Sequence, residues 1–328
     1  MLFTPLVLAL LPLSDDPQAA CHPGDHAPAG LMDVRCPMDR AWMFSVRTTY
    51  THFDGLRDSS HKVTTQDALG MGYEQVPTSM SMTMTMLELM YVPSETLSLC
   101  ASIPWTWNTM AMKTNLGESF NMSSQGVGDF AFGADVVAWS QGEQTVSAGL
   151  SVSLPTGSIT ETGGMPGAPS TRLEYAMQLG SGTYDITPRL DWRMRSDPYS
   201  YGIELSGTVR NGHNDEGYAL GDRFCASAWG AQEWSPTWSG SVRITAQRWS
   251  NVRGADALLD PMMSPTNDPH LQGGQRVDGA LGVNWRPFGG NYSGSIVGLE
   301  LGLPLAQDLN GPQLSEDWFA ALNLGLSF

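Results

Sequence analysis

Apolar and polar residues alternate with period two through most of this chain, and the alternation restarts about a dozen times. In 182–195, Tyr184, Ile186, Leu190, Trp192 and Met194 share one parity, while Asp185, Thr187, Arg189, Asp191, Arg193 and Arg195 share the other. Segment 143–154 sets Val146, Ala148, Leu150, Val152 and Leu154 against Ser147, Gly149, Ser151 and Ser153. Segments 199–210 and 276–286 repeat the pattern. A helix cannot sort residues in this way; a strand puts successive side chains on opposite faces. The pattern predicts strands at 41–53, 80–92, 95–107, 127–140, 143–155, 182–196, 199–211, 222–234, 237–249, 274–286, 294–304 and 316–328.

The connections between these segments alternate in length. Short turns are expected at Pro93-Ser94, Gln141-Gly142, Asp197-Pro198, Pro236 and 287–293, and long loops at 54–79, 108–126, 156–181, 212–221, 250–273 and 305–315. An even number of strands, each with enough residues to cross a bilayer (~9–11), joined alternately by short turns and long loops, is the plan of an outer-membrane barrel. The expectation is an all-β fold, an antiparallel transmembrane β-barrel of about twelve strands over 41–328. An aromatic belt fits it. Trp42, Trp139, Trp192, Tyr199, Tyr201, Trp234, Trp238, Trp285 and Phe328 fall near the short-turn ends, where a girdle at the bilayer interface belongs. Trp318, Ala320, Leu322, Leu324, Leu326 and Phe328 alternate to the last residue, as barrel assembly machinery would recognise. Pro104, Pro188 and Trp229 fit their strands badly and predict bulges or a slipped register.

Composition excludes other classes. The 17 cationic residues against 33 acidic ones leave a net charge of −16, which argues against a nucleic-acid partner. Gly reaches 36 residues, Met 18 and Trp 11, while charged residues fall to 15%, unlike an ordinary soluble enzyme. Residues 2–13 form a short apolar run ending near Ala19-Ala20, so 1–20 read as a signal peptide and 21–40 as a periplasmic N-terminal segment. Four cysteines, Cys21, Cys36, Cys100 and Cys225, permit three pairings that spacing does not resolve, and the last two read as small strand fillers.

The stretch Gly126-Val127-Gly128-Asp129-Phe130, followed by Gly149-Leu150-Ser151-Val152-Ser153-Leu154-Pro155-Thr156-Gly157-Ser158, resembles the family named for the MetA pathway of phenol degradation. The resemblance in strand order runs over most of 40–328 and implies a barrel that transports small or hydrophobic molecules. It supplies no catalytic residues. No Gly-x-Ser-x-Gly occurs, and the chain reads as a non-enzyme with no cofactor.

Parity places Arg47, Glu88, Asp129, Asp185, Arg189, Asp191, Arg193, Glu204, Arg243, Arg276 and Asp278 in the lumen, with Asp135, Arg210, Arg223, Arg286 and Glu300 beside them. These charges either orient solutes in a narrow channel or pair and fill the lumen. Met80, Met82, Met84, Met86 and Met90 form a second lumen stripe with Glu88. Thioethers contact apolar solutes and also suit Cu(I). With His22, His26, Cys36 and Met38 ahead of the first strand, the stripe outlines a soft-metal path. The expected partners are outer-membrane lipids, the assembly machinery and a small-molecule solute, with copper handling or a purely structural barrel as alternatives.

Overall fold

The computed structural model describes residues 27–31, 42–287 and 295–327. In chain order the elements are β1 (Trp42–Ser59), β2 (His61–Val63), helix α1 (Thr65–Gly70), β3 (Gln75–Ser94), β4 (Leu97–Thr114), β5 (Ser119–Val127), β6 (Phe130–Gln141), β7 (Gln144–Leu154), β8 (Thr162–Met165) and β9 (Ala168–Arg172). They continue with β10 (Tyr184–Ser196), β11 (Tyr199–Asn211), β12 (Tyr218–Ala219), β13 (Arg223–Ser235), β14 (Trp238–Trp249), β15 (Arg253–Gly254), β16 (Gly274–Trp285) and β17 (Ser295–Ser327). Strands β17-β16-β14-β13-β11-β10-β7-β6-β4-β3-β1 lie side by side, and β17 pairs back onto β1. This is a closed antiparallel ring of eleven strand elements, with β2 and β5 attached outside the ring order. Closure removes the sheet edges that an open sheet would leave unpaired.

The last element holds two of the expected strands. Residues 297–309 of β17 pair with β16, and 309–327 pair with β1. The chain turns near Gly311, whose φ of +80° is readily adopted only without a Cβ. Across this turn the Glu316 amide donates to Gln307 Oε1 at 3.0 Å, and Gln307 Nε2 donates to the Glu316 carbonyl at 2.8 Å. The long loop expected at 305–315 is therefore extended backbone. The loops expected at 54–79 and 108–126 are largely strand as well, because β1, β3 and β4 run 18, 20 and 18 residues. Beyond the bilayer a strand has no lipid face, so its period-two signal fades while its hydrogen bonds persist. Within 54–79 sits α1, started by a capping box in which Thr64 and Asp67 satisfy each other's amides.

The awkward residues resolve differently. Pro104 lies where β4 changes neighbour: Trp105 pairs with Val127 of β5, and Ser102 with Ala131 of β6, a one-residue step. Pro188 causes no slip; the registers with β7 and β11 run past it unchanged. Trp229 needs no bulge either, since it sits in continuous register opposite Arg243.

Outside, the wall is apolar. Val242, Leu281, Leu301 and Leu322 are exposed, which suits a lipid-facing surface. Trp42, Trp139, Tyr199, Tyr201, Trp234 and Trp238 are exposed at the short-turn ends, and Trp42 packs on Tyr91 with ring centroids 4.6 Å apart. Trp192 and Trp285 are half-buried, and Phe328 lies outside the described residues. Exposed Trp105, Trp107, Tyr184, Phe224 and Trp318 add aromatics nearer the loop end, where the expected belt had none.

Candidate functional site

The site is the inner wall of the barrel together with what closes its two ends. Even-numbered residues of β3 and odd-numbered residues of β10, β13 and β14 are the ones turned inward, as their burial pattern shows. There the charges are organised in pairs. Arg47 Nη2 lies 3.9 Å from Glu88, Arg189 Nη2 2.6 Å from Asp135, and Arg193 Nε 2.7 Å from Asp191. Arg210 Nε is 3.3 Å from Asp185, which also accepts from Thr183 Oγ1 at 2.6 Å. Glu204 stands opposite Asp191 on the neighbouring strand, with Arg189 and Arg193 two positions to either side. Arg243 grips Glu300 with Nε and Nη2, a forked geometry that Lys could not reproduce. Arg276 bridges Asp278 at 2.8 Å and Glu316 at 2.5 Å, and Gln247 Nε2 donates to Asp278 at 2.8 Å. Glu316 is not among the expected lumen residues: within the expected strand 316–328 it shares parity with Trp318 and Leu322, and the register shift opposite His52 and Phe53 turns it inward.

Asp129 serves a different purpose from the other carboxylates. It accepts from the Gly157 amide at 2.8 Å, the Ser181 amide at 2.7 Å and Ser181 Oγ at 2.9 Å. It thereby ties both ends of the 156–181 connection to the break between β5 and β6. The glycines of the same motif allow the approach: a Cβ on Gly157 would lie 2.7 Å from Gly180 Cα and 2.9 Å from Gly128. The Gly-x-Gly-Asp and Leu-Pro-Thr-Gly motifs are thus two halves of one loop anchor.

The methionine stripe faces inward, and its members meet different surroundings. Met80 joins Met110, Met112, Met122, Met177 and Leu173 in a buried apolar cluster, with Phe53, Met82, Phe120 and Leu314 packed against it. Met84 is exposed on the inward side of β3, Met86 is half-buried, and Met90 is buried across from Cys100. Cys100 and Cys225 are free and half-buried. Of the N-terminal candidates, His22, His26, Cys36 and Met38 lie outside the described residues, as does the signal peptide. Among the described residues no group of three or more His, Cys, Asp or Glu converges on a metal-sized position.

Residues 27–31 lie inside the barrel at the short-turn end. Ala27 and Leu31 pack with Trp229 and Ala231 of β13, and Asn284 Nδ2 donates to the Ala27 carbonyl at 3.2 Å. Gly30 lies close against the Arg243–Glu300 pair: a Cβ there would lie 2.4 Å from Arg243 Nη2 and 2.5 Å from Glu300 Oε1, so those side-chain ends would have to shift. This explains Trp229, an aromatic on the polar face. Its partner is a segment of chain that periodicity could not place.

At the other end the long connections fold over the mouth. Tyr175 and Tyr218 meet edge to face at 4.9 Å, within a cluster completed by Val252 and Leu259. Arg172 holds three connections at once, with Asp256 at 2.7 Å, Glu216 at 3.2 Å and the Ile159 carbonyl at 3.0 Å. Glu174 is buried beneath them with no cationic partner among the described residues, and burial pushes its carboxyl up to about 7.

Residues 68–292 match the model of the family described as "Putative MetA-pathway of phenol degradation". Among solved structures, the COG4313 outer membrane channel from Pseudomonas putida F1 superposes with a TM-score of 0.62 at 14% identity, covering 88% of this chain and 96% of that one. This likeness establishes the fold. A FadL homologue from Pseudomonas aeruginosa gives a TM-score of 0.44 at 10% identity, over 89% and 91% of the two chains. No curated protein matches the chain in sequence.

Proposed function

We propose, from the premise that this chain belongs to the MetA-pathway of phenol degradation family, that it is an outer-membrane channel passing small apolar or amphipathic solutes. It sits in the outer membrane as a closed barrel of twelve crossings, the two arms of β17 counting separately. Fold likeness to outer membrane channels supports a channel, and the apolar outer wall supports the location. The observation that carries the solute class is the division of the inner wall. Most of its charges are cancelled in pairs, whereas Met80, Met82, Met110, Met112 and Met122 with Phe53 make the loop-end wall apolar and deformable.

Uptake of an apolar fluorescent dye by intact cells, with and without the barrel, tests this. The barrel should speed dye entry while leaving entry of a sugar of similar size unchanged. Faster sugar entry with unchanged dye entry would contradict it.

A second reading is favoured by one observation: five thioethers share the cluster around Leu173. Cu(I) or Ag(I) bound there would raise the thermal stability of the refolded barrel. Replacing Met80, Met110, Met112 and Met122 with Leu would abolish that shift. No shift in the wild type would leave the cluster as solute contact and packing.

A further inference from the structure

Inside the barrel the arginines follow one rule. Arg47, Arg189, Arg193, Arg210, Arg243 and Arg276 each have a carboxylate at 3.9 Å or less, and Arg286 is engaged as well. Arg223 departs from the rule. It opens β13 on the same face as Cys225, Ser227 and Trp229, so it points inward, and it is exposed there. The acids around it are committed elsewhere: Asp222 to Arg253 at 3.1 Å, Asp185 to Arg210 at 3.3 Å and Glu316 to Arg276 at 2.5 Å. The positive charges of Arg210 and Arg276 act on Arg223 more strongly than the negative charge of Glu316 does.

Among the described residues its close companion is aromatic. The guanidinium carbon lies 5.8 Å from the ring centroid of Trp249, its partner on β14. That ring is held in place, because Trp249 Nε1 donates to the Gln272 carbonyl at 2.8 Å. The guanidinium is therefore steadied on one side by a fixed indole, and among the described residues nothing takes its fork of N–H donors. Such a fork matches a carboxylate in two parallel hydrogen bonds. Two cations nearby favour an anion, and Glu316 and Asp278 disfavour a doubly charged one.

We propose that Arg223 and Trp249 form an anion site on the inner wall at the loop end, taking the carboxylate of an amphipathic organic acid whose apolar body lies against the indole. The site makes the solute class of the proposed channel more specific: apolar in bulk, with a singly charged acidic head. It rests on the lumen admitting solute, so binding and passage are measured separately.

Full-length barrel refolded in a neutral detergent is titrated calorimetrically with benzoate, and with benzyl alcohol as the uncharged counterpart. Folding of each variant is checked by the migration of unheated samples on a gel. Benzoate should bind the wild type saturably. Arg223→Gln should weaken it about tenfold or more, and Arg223→Lys should weaken it less, since it keeps the charge without the fork. Benzyl alcohol should not distinguish the three proteins. Should the Gln variant fail to fold, the Lys variant must still bind benzoate less tightly than the wild type. Absence of saturable binding to the wild type, or equal benzoate affinity in the folded variants, would overturn the site. Uptake of the neutral dye by cells carrying Arg223→Gln reads passage alone. Its persistence alongside lost benzoate binding supports the site, and its failure in the wild type bears on the channel instead.

Discussion

The barrel wall and the cap over its loop end keep their apolar side chains on opposite sides. On the wall Leu281 is 69% exposed and Val242 57%, while Asp278, Glu300 and Asp135 are buried inside. In the cap Leu173, Met177 and Tyr218 are buried, and the polar side chains of Asp215, Asp260 and His270 face out. One chain thus obeys two solvents. Where lipid surrounds it, apolar groups turn outward and polar groups must find each other inside. Where water surrounds it, ordinary hydrophobic burial returns.

The comparison breaks most severely at the cap's hub. Arg172→Met leaves Asp256 buried without its cation, and removing one member of such a pair costs about 3–5 kcal/mol. The expected outcome is a cap open to protease while the wall keeps its resistance to unfolding by detergent. Limited proteolysis with mapping of cut sites checks this; cleavage confined to the short turns would contradict it.

Next is a charge on the lipid face. Leu281→Arg should destabilise the barrel by about 2–4 kcal/mol, the range for a cation near mid-bilayer. Equilibrium unfolding in vesicles measures it, and an unchanged midpoint would place Leu281 away from lipid.

The cap also carries a pH dependence of its own. Burial raises the Glu174 carboxyl to about 7, well above the usual carboxylate range. Folding of the cap is then linked to proton uptake. The stabilisation is fully present below the unfolded value, is lost as pH rises through about 7, and amounts to roughly 3 kcal/mol at most. Cap protection in hydrogen exchange should fall between about pH 4.5 and pH 7 by about the scale this linkage sets and level off above that. Glu174→Gln should flatten the profile, and an unchanged slope in that variant would assign the dependence to another group.

The smallest effect sharpens the contrast. Leu258, on the cap, is 68% exposed, nearly the same as Leu281. Leu258→Arg should change stability by no more than about 0.5 kcal/mol, because water already surrounds it. Equal penalties at the two leucines would mean that they share one environment.

The same division decided what could be read from the chain alone. The wall was legible because lipid on one side and polar packing on the other force strict alternation, and the Met stripe was placed on its inward face by parity. The ion pairs were legible as a set of inward charges, though not as partners, since pairing depends on register between strands. Period two carried no information where lipid ends, so β1, β3, β4 and the middle of β17 outran their expected limits. The cap core of Tyr175, Tyr218, Val252 and Leu259 comes from three separate connections and has no period at all. Asp129 looked like a lumen charge by parity, yet its three hydrogen bonds go to the ends of one loop. A signal for α1 was present in Thr64 and Asp67, spaced as a capping box, inside a stretch taken to be loop.

The inversion between wall and cap is tested most directly by spin labels at positions 281 and 258, one pair of single-cysteine variants of a Cys-free chain in bilayers. Collisions with oxygen, which concentrates in lipid, should dominate at 281, and collisions with a water-soluble nickel chelate should dominate at 258. Matching accessibility profiles at the two positions, or nickel dominating at 281, would contradict a lipid-facing wall beneath a water-facing cap.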